Sequence, residues 1–506
     1  MDSALETLAN KELIYARGIP PEATYQFKHA LIQDAAYEAL LKVNRKELHR
    51  RVAQTIAEKF PRIAKEQPQV LARHWTGAGE AKPAIAAWKK AGAAATRRRA
   101  FKEAGENFRQ ALAMLNTLPE SPERDARELE LMRALVEVLQ LTKGYSAPET
   151  TEVNARAGHL AEKTGKLPQL VMQAFGAWAA VHVSGDHPSA AALADRIFDL
   201  AAREGSNGIL GFAHSTGVHV SFYRGDLAAV EEHFTRFGGV LEAVDLNLTT
   251  AAGAAITMGH AAVGAWTLGY ADKARRRIDD ALAFAGKNQN PYSLAFARFL
   301  ESWLYLWLRD PQRAEAAAMR ALSLSQEHGF LYVAALGRIV AGWARAQLGN
   351  PAEGVALIRQ GLSGAIEIGA RLGITFYLTC LAQAQALDGK IDDALATIED
   401  ALQANPEELV FLPSIMACRG ELRFKLGQPE LAEADFREAI ALAKKMSARG
   451  WELQAAMGLA QMLKARGEEA AATGLLAPLC AWFTEGFDTA DLRNARAMLA
   501  ELSGAR

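Results

Sequence analysis

The 506-residue sequence predicts an all-α chain in which helical hairpins stack into a superhelix, and three observations carry that expectation. From about Val70 onward, long Ala- and Leu-rich stretches with helical spacing alternate with short turns such as FYRGDLAAV, WTLGYADKA, AQLGNPAEG and FKLGQPELA. Strand signals are nearly absent from the same region. Aligned on the turn residue (Gly225, Gly269, Arg309, Gly349, Gly389, Gly427, Gly467), the stretches superimpose their small and bulky residues.

That superposition has a steric meaning. Five positions after the turn stand Val230, Ala274, Ala314, Gly354, Ala394, Ala432 and Ala472; seven before it stand Val218, Ala262, Ser302, Gly342, Ala382, Gly420 and Ala460. Nine after it the residues are mostly bulky, as at Phe234, Ile278, Ile358, Ile398 and Phe436. Two antiparallel helices approach closely only where the facing side chains are small, and a bulky residue one turn on fills the remaining gap. Each unit therefore reads as a hairpin, and most recur every 40 residues. A lone hairpin hides one face only, so the units must stack. Two earlier units, around Gly79 and Arg99, overlap, so a helix from about Ala84 to Arg98 serves both. Between Leu118 and Asp186 the pattern weakens, and a bend or change of register is expected there.

Composition narrows the function classes. A net charge of -1 leaves no electrostatic footprint for nucleic acid or acidic membranes. Three scattered cysteines suit neither a disulfide framework nor a four-thiolate zinc site, and point to a reducing compartment. The opening MDSALETLANKEL lacks the order of a signal peptide. The expected location is the cytoplasm. Leu246 to Ala271 carries no Asp, Glu, Lys or Arg and is long enough to span a bilayer. It is made of Ala, Gly and Thr and includes Asn247 and His260, so an inner helix of the stack is the preferred reading.

The amino-terminal stretch differs. Thr24 to Phe27 alternates as a short strand, with Leu13 to Ala16 as its partner across ARGIPPEAT. From His29 the spacing turns helical, with Ile32, Ala36 and Leu40 on one stripe. A second helix follows, with Leu48, Val52, Ile56 and Phe60 in line and Pro61 closing it. Helix, hairpin and helix make the tail end of a winged-helix module. His29 and Asp34 point about 140° apart around a helix, so they are poorly placed to pair. His29, Asp34 and Tyr37 are expected to serve a domain contact rather than catalysis. The expected divisions are a partial winged helix at 1–62, first hairpins at 63–118, a connecting helix and loop at 119–147, the repeat array at 148–486 and a capping helix at 487–506.

Two resemblances add to this reading. The small–turn–small–bulky–small pattern resembles the tetratricopeptide repeat (TPR), although the period departs from that family's usual length. FKHALIQDAAYEALL followed by RKELHRRVAQTIAEKF resembles the segment that joins a winged helix to TPR units in STAND-type signal-transduction ATPases, where a class III adenylate/guanylate cyclase domain often precedes the ATPase. LARHWTGAGEAKPAIAAWKKAG, LPESPERDARELEL and LTKGYSAPE resemble phrases of the same repeat region. No phosphate-binding G-x-x-x-x-G-K-[ST] occurs: Gly165-Lys166, Gly286-Lys287 and Gly389-Lys390 are followed by Leu, Asn and Ile. The expectation is a joint lacking its upstream half, with nothing catalytic to carry over and no cofactor.

The TPR resemblance implies that the first helix of each pair lines a groove. Groove positions then fall on His219, Phe222, Tyr223, Trp266, Phe299, Trp303, Trp307 and Trp343, fading to Gln383, Glu421 and Gln461. An aromatic stripe suits a peptide or an amphipathic helix; it equally suits packing between hairpins. His182, His214, His219 and His260 stand at different registers relative to their turns and lack metal-ligand spacing. Cys380 and Cys418 read as core thiols. Arg97-Arg98-Arg99 and Arg275-Arg276-Arg277 read as solvated helix ends. The expected function is non-enzymatic: a protein-interaction and signal-sensing arm of a STAND-type ATPase or cyclase regulator, contacting that module upstream and a protein or peptide in its groove. The alternative is a free-standing TPR adaptor or scaffold.

Overall fold

The computed structural model describes residues 2–18, 23–238 and 248–502. The described residues form 26 α-helices, one short 3-10 turn and a single two-stranded sheet. They divide into two compact units, one ending at Leu131 and the other beginning at Met132.

The amino-terminal unit opens with helix Asp2–Asn10, strands Ile14–Arg17 and Thr24–Phe27, and helix Ala30–Glu38. This helix–strand–strand–helix element resembles a winged-helix fragment. The strands pair antiparallel, Ile14 opposite Phe27 and Arg17 opposite Thr24, so the first strand begins one residue later than the alternation indicated. Most of the turn predicted between them, residues 19–22, lies outside the described residues. His29 stays extended (φ -133°, ψ 132°) and stands just ahead of its helix. No residue of Ala30–Glu38 is buried, and of the predicted line Leu48, Val52, Ile56 and Phe60 only Ile56 is. Helix Ala81–Arg97 packs against both Pro68–Ala78 and Phe101–Leu115, as a shared helix must. Gly92 makes room on it for the Phe108 ring, whose Cε1 would lie 2.5 Å from an added Cβ.

The second unit is the repeat array. Each of the seven aligned turn residues joins two helices, for example Leu331–Gln347 to Pro351–Glu367 across Gly349. All seven adopt positive φ, from 55° at Arg309 to 102° at Gly269. This is the left-handed conformation that glycine adopts without a Cβ penalty and that helix C-termini use to turn the chain. The small residues five after and seven before each turn are buried where the hairpin helices touch, as at Ala262 and Ala274. Further helices of the array precede the seven aligned turns: Pro148–Thr164 packs on Leu167–Val183, which packs on His187–Glu204.

Helix Leu248–Thr267 is buried at nearly all of its described side chains, including Thr257, His260 and Thr267, with Ile256 half-buried. Leu246 and Asn247, included in the uncharged stretch, lie outside the described residues. Among the described residues, no helix is long and apolar enough to cross a membrane. Cys380, Cys418 and Cys480 are free thiols and buried. The last helix, Ala490–Leu502, covers the end of the stack with Leu492 and Ala495; residues 503–506 lie outside the description.

The array also closes on itself. The Lys273 backbone N–H donates to Glu485 (2.9 Å), Arg275 pairs with Asp488 (2.9 Å), and the Arg371 N–H donates to the Val183 carbonyl (2.9 Å). These partners lie far apart in sequence. A superhelix accumulates a small rotation per unit until distant inner helices meet.

Candidate functional site on the inner face

The inner layer is formed by the first helix of each hairpin, each packed on the next: Leu248–Thr267, Pro291–Trp307, Leu331–Gln347, Ile374–Leu387, Leu412–Lys425 and Arg449–Ala465. All eight predicted groove residues lie in this layer or on helix Asn207–Tyr223 before it, and all eight are buried. They pack mainly on one another. Trp303 and Trp307 have ring centroids 4.9 Å apart, and Trp266 and Trp307 5.0 Å. Phe222 stacks on Trp307 at 6.2 Å, and Phe299 on Trp303 at 6.0 Å. The cluster then continues across the closed superhelix to Trp451, 4.7 Å from Trp266, and to Phe411 and Phe376.

Sequence reasoning missed Trp451, Phe376 and Phe411. Phe376 stands 13 residues before Gly389, one helical turn beyond the inner-face positions used, so extending the stripe by a turn would have found it. Phe411 lies in the 3-10 turn Leu409–Phe411, which no repeat alignment registers.

Beyond this packing, a pocket of about 220 Å³ opens on the inner face of the later units. Trp307, Trp343, Phe376 and Trp451 form its aromatic wall, and Gln383 and Glu421 stand among its polar residues. Two of the eight predicted residues, Trp307 and Trp343, thus line the opening. The Trp343 indole N–H donates to Gln383 Oε1 (2.8 Å), which fixes that amide. The indole N–H groups of Trp307 and Trp451 are buried without an acceptor, which is costly unless something supplies one. Arg309, Gln347, Ser414, Lys425 and Gln454 also stand on the polar side; Arg309 pairs with Asp491 (3.1 Å), and Gln454 donates to the same carboxylate (2.8 Å). Burial pushes the Cys418 thiol far above the ordinary cysteine range, so the one thiol in the pocket stays protonated and a poor nucleophile.

Two buried polar clusters lie away from the pocket. His182, His219 and His260 stand three, six and nine residues before their turns. Their differing registers do not keep them apart: the superhelical offset cancels the stepping, with ring centroids 5.5 Å apart for His182–His219 and 4.3 Å for His219–His260. Burial holds His182 and His219 well below the usual imidazole range and His260 at about 4. His214 lies elsewhere, its Nδ1 3.0 Å from His233 Nδ1. Among the described residues, no group of three or more His, Cys, Asp or Glu is placed to hold a metal ion. Glu408, fully buried, is the second cluster: its carboxylate accepts from the Gly373 N–H (2.6 Å) and the Thr375 hydroxyl (2.5 Å), and faces His187 Nε2 at 3.4 Å. It thereby caps helix Ile374–Leu387.

In the amino-terminal unit, His29 and Asp34 are exposed. The Tyr37 hydroxyl lies 3.0 Å from His49 Nε2, and His49 Nδ1 lies 2.9 Å from His74 Nδ1. Arg45 covers the Tyr37 ring at 4.9 Å. Tyr37 thus ties its helix to Lys42–Lys59 and, through His49, to Pro68–Ala78.

No family model matches the chain. A curated but uncharacterized protein of Rhizobium meliloti (strain 1021) is 23% identical over 470 residues, which are 88% of this chain and 44% of that protein. The chain therefore spans under half the length of the curated relative it matches. Among solved structures, a Rap protein complexed with competence and sporulation factor superimposes with a TM-score of 0.51 at 13% identity, covering 76% of this chain and 100% of that chain. NprR in complex with its cognate peptide NprX superimposes with a TM-score of 0.41 at 13% identity, over 57% of this chain and 82% of that chain. The Rap likeness is one of fold, an all-helical repeat architecture of the TPR kind.

Proposed function

We propose that the chain is a TPR-like adaptor that binds a peptide or helical segment of a protein partner in its inner-face pocket, without catalysis. The observation that carries this reading is the pocket wall, where aromatic faces and two buried indole N–H groups without acceptors adjoin a polar side of Gln383, Glu421 and Lys425. Aromatic faces take up apolar side chains, while amides and charges meet a peptide's backbone and termini. The Rap protein that shares the fold is complexed with competence and sporulation factor, which supports a bound factor on this architecture. The test is selection of random dodecapeptides displayed on phage against the immobilised chain. A recurring motif whose binding is lost in Glu421→Lys and Gln383→Ala is the expected result. Equal recovery on the variants would overturn the reading.

A second reading keeps the same pocket but makes the chain a sensing arm of a larger STAND-type ATPase or cyclase regulator. The curated relative, of which this chain matches only 44%, supports a larger protein, while the ATPase or cyclase link rests on the sequence resemblance alone. A native band well above 54.7 kDa on a denaturing gel of the source cell would support it, and a band at that mass would remove it. Nucleotide hydrolysis by the purified chain would overturn the non-catalytic part of both readings.

A further inference from the structure

We propose a separate ligand site in the amino-terminal unit: a cationic cleft that takes a small organic phosphate, a phosphate monoester carried on an apolar body. The cleft measures about 380 Å³ and lies where helix Pro61–Glu66 and the start of Pro68–Ala78 face helix Ala81–Arg97. Lys65, Lys90 and Arg97 line it, and none of its lining residues is acidic.

Lys90 and Arg97 share one face of their helix, seven residues or about 10.5 Å apart along the axis. Between them stand Ala93 and Ala94, whose short side chains leave the space open; Ala64 and Pro68 extend the apolar floor on the other side. Long cationic side chains from both ends can converge over that floor, with Lys65 opposite. Glu58, next to Ala57, is exposed and is not part of the lining, and three other acids of this unit are engaged elsewhere. Glu66 pairs with Arg62 (3.0 Å), Glu103 with Arg98 (3.2 Å), and Glu130 with Lys89. Three like charges around one concavity create a focused positive potential that an anion relieves.

Within the Arg97-Arg98-Arg99 run, the three residues divide their roles. Arg99 supplies the left-handed turn (φ 64°), Arg98 pairs with Glu103, and Arg97 lines the cleft. A phosphate dianion answers a guanidinium and two ammonium groups at once, the guanidinium by parallel hydrogen bonds and the lysines as point charges. A lone carboxylate would leave most of that charge unmatched. The volume falls at the small end of the roughly 300–1,000 Å³ usual for small-molecule sites, and the alanine and proline floor has nothing to offer a bare ion.

The test is calorimetric titration of the full chain with phenyl phosphate, and with inorganic phosphate in parallel. Saturable binding of phenyl phosphate is expected, at least about tenfold tighter than inorganic phosphate and weakened by salt. Lys90→Gln combined with Arg97→Gln should weaken it by about tenfold or more, with the circular dichroism spectrum and urea midpoint unchanged. Lys65→Gln, on the opposite wall, should weaken it independently, and Lys82→Gln, outside the cleft, should not. Absence of saturable binding, equal affinity for inorganic phosphate, or binding indifferent to the cleft variants would each overturn the site.

Discussion

Gly342 and Gly354 bring two helices together backbone to backbone: a Cβ on Gly342 would stand 2.6 Å from the Gly354 carbonyl oxygen, and one on Gly354 2.5 Å from the Gly342 carbonyl oxygen. These residues are seven before and five after Gly349, the two positions that hold Gly, Ala, Ser or Val in every aligned unit.

Gly342→Ala is therefore expected to destabilise the chain by about 1–3 kcal/mol, because overpacking outweighs the roughly 1 kcal/mol that alanine gains in helix propensity. Gly364→Ala is the control. Its added Cβ would meet only the Ala335 Cβ at an ordinary 3.7 Å, so the propensity gain should survive. Urea unfolding of both variants should move the midpoint in opposite directions.

Glu408 joins parts of the array more than 200 residues apart, since it caps helix Ile374–Leu387 and faces His187. Glu408→Ala would strand the Gly373 N–H and the Thr375 hydroxyl in a dry interior. The expected cost is about 3–5 kcal/mol, against under about 0.5 kcal/mol for the exposed neighbour Glu407→Ala. Thermal unfolding of the two variants checks the contrast.

Acid should loosen the array through its histidine cluster. The folded pKa values of His182, His219 and His260 lie below the unfolded value, so the unfolded chain binds protons first. Their contribution is whole above about pH 6.5 and is lost as pH falls from there towards about 4, where His260 titrates in the fold. For His260 alone the loss is of order 3 kcal/mol. Unfolding midpoints between neutral pH and pH 4.5 should fall steeply in the native chain and less steeply in His260→Gln.

Trp303 and Gln383 separate packing from binding. Trp303→Ala removes a fully buried indole and should cost about 3–5 kcal/mol. Gln383→Ala takes the acceptor from the Trp343 indole N–H and should cost only about 1–3 kcal/mol while abolishing binding of the selected peptide. Urea midpoints and peptide affinity measured on the same preparations test both statements.

The hairpins were legible because their contacts are local. Ala262 meets its own partner helix across Gly269 at an offset that recurs in every unit, so alignment on the turns reveals it. The strand Ile14–Arg17 was legible to within one residue for the same reason. The pocket was legible only in part. Trp307 and Trp343 were found as members of a stripe, yet nothing in the stripe distinguishes them from Trp303, which is enclosed by Phe222, Phe299 and Phe411. Trp451 belongs to the pocket because of a contact with Trp307 that spans 144 residues.

By itself, the sequence determined the all-helical class, the place of each turn and the small-residue seams, because these follow from helical period, backbone conformation at one residue and side-chain size. Only the tertiary structure decided that the superhelix closes, that most of its inner aromatic stripe is consumed by packing, and that three histidines of different register meet. Those outcomes depend on the rotation accumulated from unit to unit. Each unit contributes a small part of that rotation, and no single unit encodes the sum.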